Sequence, residues 1–161
     1  MRGCRNIVLA DRAYARVQLA AQTPLLPPGL LHLVTEHDVQ DLRSALAKGR
    51  LPADFEAKLT KLARGGLGDH YVEHNSRLFA ALLLACLGDF TGATVSDRER
   101  LLRVLAYVRK DDDAIPDYLP GGFIDDQQEV RSAVRECGPL LQAFKAWRLR
   151  HQVPDLWRSQ L

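Results

Sequence analysis

Cysteine is scarce in this chain. Of 161 residues only Cys4, Cys86 and Cys137 carry thiols, and no two of them form a CxxC pair. That spacing excludes a zinc ribbon and a thioredoxin-type redox motif. Cys86 sits in an apolar run and Cys137 on an apolar stripe, so both read as small core residues of a protein kept in a reducing, cytoplasmic compartment. Charge of one sign is not in excess either. Lys plus Arg number 22 and Asp plus Glu number 20, which gives no support for a specific nucleic-acid binder held by phosphate contacts. No long hydrophobic run is present. The longest, Leu78 to Leu87, falls short of the roughly 20 residues a transmembrane helix needs. Asp11, Arg12 and Arg16 interrupt any signal-peptide core near the N-terminus. GxxxxGK[ST], GxGxxG and GxSxG are all missing, and nothing spaces Ser, His and Asp as a nucleophilic set.

Strand-like alternation is missing as well, and what remains is helical periodicity nearly throughout. Ile7, Ala10, Tyr14, Val17 and Ala21 share one face of a first helix, which Pro24, Pro27, Pro28 and Gly29 stop. A second helix starts at Thr35, which forms a shortened capping box with Asp38, and carries Val39, Leu42 and Leu46. A third carries Phe55, Leu59 and Leu62. The segment from about His70 to Leu87 is apolar on all sides in its second half, which places it at the centre of a bundle. Ser96 with Glu99 reads as the capping box of the next helix, on which Leu101, Val104, Leu105 and Val108 align. Val130, Ala133, Val134 and Cys137 repeat that spacing. Gly138-Pro139 breaks the chain before Leu140, Phe144 and Trp147. The expected fold is all-α: an irregular bundle of about six to seven helices around one apolar central helix. Residues 1–23 form an N-terminal helical arm packed on a bundle of residues 30–161.

One loop breaks local rules. Residues 111–129 hold seven acids and no base, and residues 130–161 hold six bases against Glu136 and Asp155. Asp111, Asp112 and Asp113 directly follow a helix C-terminus, where negative charge is unfavourable by a few tenths of a kcal/mol each, up to about 1. Such conflicts cluster at functional or strained sites. Pro116 and Pro120 fix φ, and Gly121-Gly122 opens backbone shapes closed to other residues. The loop is therefore stiff for its length. Asp125 with Gln128, or Asp126 with Glu129, has the spacing of a helix-capping box. Asp117 suits a turn of its own. Asp113, Asp117, Asp125 and Asp126 also offer hard oxygen ligands to Mg²⁺ or another divalent cation. His70 and His74, one helical turn apart, could join such a site, although HYVEH is not HExxH and both histidines also suit a solvated helix face.

The loop resembles the signature of the YkvA-like bacterial domain of unknown function. That pattern runs Asp-x-Ile-Pro-Asp-aromatic-x-Pro, then a Gly, then aromatic-x-Asp-Asp, between two apolar helices. Asp113, Pro116, Asp117, Pro120, Gly122, Asp125 and Asp126 match it, within residues 97–137. The stretch between Pro120 and Asp125 is one residue shorter than in the pattern, and the preceding helix is more charged. The resemblance implies a small bacterial helical domain and carries no settled activity. The expected function is a protein-interaction or regulatory module that uses the acidic loop and takes no cofactor. The alternative is a metal-dependent hydrolase built on the loop aspartates. Leu156 and Trp157, beyond Pro154, could dock on the bundle or on a second subunit. Peripheral binding to membrane or nucleic acid through Arg2, Arg5, Arg12 and Arg16 is the third reading.

Overall fold

The computed structural model describes residues 33–110 and 123–152. Among them are six helices and no strand: α1 (Glu36–Ala47), α2 (Ala53–Ala63), α3 (Leu67–Ala85), α4 (Val95–Arg109), α5 (Ile124–Glu136) and α6 (Gly138–Arg150). The expected all-α bundle is therefore what the chain forms. The N-terminal arm of residues 1–23 and the tail with Leu156 and Trp157 lie outside the described residues.

The central helix is α3. From Leu78 to Leu83 every residue is buried, because α1, α2, α4 and α5 all pack against it. Helices α1 and α4 run antiparallel along one side, as their ion pairs show. Glu36 meets Arg103 at 2.7 Å and Arg43 meets Glu99 at 2.9 Å, in opposite order along the two helices. Exposed pairs of this kind contribute little each. Stability comes instead from the apolar stripes, with Val39, Leu42, Phe55, Leu59, Leu101, Val104 and Leu105 fully buried. Helix α6 is fixed by an aromatic cluster. Phe90, in the segment after α3, lies 5.3 Å from Phe144 and 5.4 Å from Trp147.

Helix ends follow local chemistry. The Thr35–Asp38 capping box forms, with Oγ1 of Thr35 accepting from the Asp38 amide at 3.1 Å. Helix α1 closes in a Schellman motif. Gly49, at φ 76°, donates to Leu46 and Arg50 donates back to Ala45. Helix α4 departs from expectation. Its cap is Thr94, whose Oγ1 accepts from the Asp97 amide at 3.0 Å, not Ser96 with Glu99. Both pairs have box spacing. The earlier one wins because α4 starts at Val95, which leaves Ser96 already inside the first turn. Thr94→Ala should cost about 1 kcal/mol and Ser96→Ala much less, since only Thr94 satisfies a first-turn amide. Urea denaturation of the two variants checks this.

Candidate buried polar site

The sequence gives α5 an unusual face. Asp126, Val130, Ala133 and Cys137 follow one stripe, with Asp125 and Glu129 beside it, and all six are buried. The last turns of that face are apolar and the first turns are carboxylates. Asp125 and Asp126 are 0% exposed and Glu129 is 2% exposed. They do not serve as the expected capping boxes. The residue before the helix is Phe123, which makes no side-chain cap, and this puts Asp125 and Asp126 one and two residues into the first turn. Negative charge there is favoured by the helix dipole, so an aspartate need not be the cap to be stabilised by position.

Each buried aspartate meets a partner from another helix. The phenol of Tyr107, on α4, donates to Oδ2 of Asp125 at 2.8 Å. Nζ of Lys58, on α2, stands 3.7 Å from Oδ2 of Asp126. Lys58 is itself 8% exposed and does more than neutralise one carboxylate. Its ammonium donates to the carbonyl of Val108 and, at 2.8 Å, to that of Lys110. These are carbonyls at the end of α4 that no intrahelical amide can reach. The same ammonium stands 5.6 Å from the centre of the Phe123 ring. Lys58 thus touches residues 108 and 110 before the acidic loop and residues 123 and 126 after it.

A second buried ion cluster lies on α3. Arg77, 2% exposed, pairs through Nε with Glu73 one turn earlier, and through Nη2 with Glu56 of α2 at 2.9 Å. Burial opposes the charge on Arg77, but the hydrogen bonds and charge of Glu56 and Glu73 outweigh it and hold its pKa above the ordinary arginine value. Helices α3 and α5 pack closely at the start of α3. Gly68 has no side chain, and the Gln127 amide lies where its Cβ would be.

Of the residues singled out in the sequence, Asp125 and Asp126 are brought into this site. Asp113, Pro116, Asp117, Pro120 and Gly122 lie outside the described residues. His70 and His74 fall on the exposed side of α3, with His74 beside Lys145 and Arg148 of α6 rather than beside Asp125 or Asp126. Burial raises the pKa of Asp69, next to His70. Among the described residues no group of three or more His, Cys, Asp or Glu side chains is arranged to hold a metal ion. No described helix is long and apolar enough to cross a membrane.

Lys58, Glu73, Arg77 and Tyr107 carry the site, and the sequence reading did not single them out for it. A signal for Lys58 exists. It occupies the i+3 place of the Phe55, Leu59, Leu62 stripe, where a charge can be buried only if something pairs with it. Compared with family models, with curated proteins and with solved structures, the chain finds no match in any of the three.

Proposed function

We propose that this chain is a small helical interaction module, of the YkvA-like kind that its loop sequence resembles. In this reading it presents the acidic Pro/Gly segment of residues 111–122 to a basic surface of a partner protein. One observation carries the reading: a single buried ammonium, Lys58, contacts backbone or side chain at 108, 110, 123 and 126. Holding the residues on either side of a segment close together in general reduces the entropy that segment loses on binding. The buried aspartates are then the foot of the loop, already engaged by Tyr107 and Lys58. The free thiols of Cys86 and Cys137 fit a reducing setting.

The test compares wild type with a chain in which Asp111, Asp112, Asp113 and Asp117 are all changed to Asn. Both are immobilised and exposed to extract of the cell that makes the protein. A specific protein retained by wild type, eluted by moderate salt and lost with the variant is the expected result. Equal retention by both chains overturns the reading. So does heat of Mg²⁺, Mn²⁺ or Zn²⁺ binding to wild type that disappears with Asp117→Asn, since that outcome assigns the loop to a metal.

A further inference from the structure

An apolar groove lies on the described surface away from the buried site. It has a volume of about 500 Å³ and lies where the end of α1, the end of α3 and the start of α4 come together. Leu46, Leu83, Cys86, Leu87, Val95 and Leu102 line it, and the Arg43–Glu99 ion pair stands at its rim. Two lining residues are well out in solvent for their type, Leu87 at 64% exposed and Val95 at 67%. Large apolar side chains side by side on a groove mark a surface that something covers.

We propose that the apolar stripe of the chain's own residues 7–21 covers this groove. Ile7, Ala10, Tyr14, Val17 and Ala21 fall on one face at helical spacing, while Asp11, Arg12 and Arg16 fall off it. The tether permits the contact. The described chain begins at Leu33, just ahead of α1, and Leu46 lies about 15 Å further along that helix. Residues 24–32, fully extended, reach about 30 Å, so the stripe can arrive at the groove from where the chain enters. Size argues against a second copy as the occupant. A stable dimer interface uses roughly 20–30 residues on each side, and this groove is lined by ten. A tethered segment needs far less, because a short linker holds it at an effective concentration in the millimolar range.

The experiment uses the full chain, with the Cys86 thiol in the groove wall as reporter. Iodoacetamide labelling is followed by mass spectrometry of the separate Cys4, Cys86 and Cys137 peptides. Val17→Asp should label at Cys86 about tenfold faster than wild type, as when an equilibrium closed roughly nine-tenths of the time is abolished. Arg12→Ser, off the stripe, should leave the rate unchanged, and buried Cys137 should stay protected in all three chains. An unchanged Cys86 rate in Val17→Asp overturns the proposal. In case that substitution disturbs the fold, Val95 is also replaced by benzoylphenylalanine and irradiated. A cross-link to residues 7–21 of the same chain, independent of protein concentration, is the expected product. A cross-linked dimer, or a link to any other segment, overturns the proposal.

Discussion

Lys58→Met should lose about 3–5 kcal/mol of folding stability, the cost of removing one partner from a buried charged pair. Methionine keeps most of the volume and the flexible stem, so the loss is not a cavity effect. It comes from what the ammonium leaves behind. The carbonyls of Val108 and Lys110 lose a donor, and the carboxylate of Asp126, 0% exposed, loses a cation 3.7 Å away. Buried acceptors without donors cost about 1–3 kcal/mol apiece before any charge is counted. Urea denaturation of the variant checks the total. The double variant Lys58→Met, Asp126→Leu should recover part of the loss, because it removes the carboxylate that lost this cation but not the carbonyls that lost this donor. Full recovery would mean that Lys58 serves only Asp126. It would also remove the clamp argument, since the contacts at 108 and 110 would then carry no weight. A loss below about 1 kcal/mol for the single variant would show that water reaches the ammonium and its partners.

How legible the fold was depended on which rule each segment obeyed. Leu78 to Leu83 are apolar on every side, and only a helix packed all round can bury them, so the centre of the bundle could be read directly. The stripes of α1, α2 and α4 gave their buried faces for the same reason. Thr94 and Ser96 show where local reading ends. Two overlapping pairs have the same capping-box spacing, and the helix takes the earlier one and starts at Val95. The site was half legible. Asp125 and Asp126 stood out as acids in an unusual loop, but their partners come from α2 and α4, at Lys58 and Tyr107. Nothing in one sequence ties position 58 to position 126. The sequence does show that a lysine stands among core leucines, and burial makes such a residue informative. Arg77 was hidden in the same way. It sits at the edge of an apolar run, where arginine ordinarily extends its stem to reach water, yet here its head is buried with its stem.

Arg77 gives the second large effect. Its guanidinium joins α2 to α3 by pairing with Glu56 and with Glu73, and it is buried where the two helices meet. Arg77→Met should cost about 3–5 kcal/mol, because Glu73 is left as a carboxylate in a site nearly closed to water. Arg77→Lys separates charge from geometry. Lysine restores a cation but cannot offer parallel N–H donors to two carboxylates, so its variant should fall between wild type and Arg77→Met. The decisive chain is Arg77→Met with Glu73→Gln. If the damage in the single variant is an uncompensated charge, the amide should restore much of the stability, since glutamine fills the space of Glu73 without a charge to bury. If the damage is lost packing, the second substitution should add to the first. The ion pairs of this second cluster join α2 to α3, whereas the contacts of Lys58 reach both sides of the acidic loop. Binding of the partner retained through the loop should therefore persist in Arg77→Lys at temperatures where the variant is folded, and weaken in Lys58→Met under the same condition. Equal weakening in both would mean that the loop responds to global stability, and that the clamp at its foot adds nothing of its own.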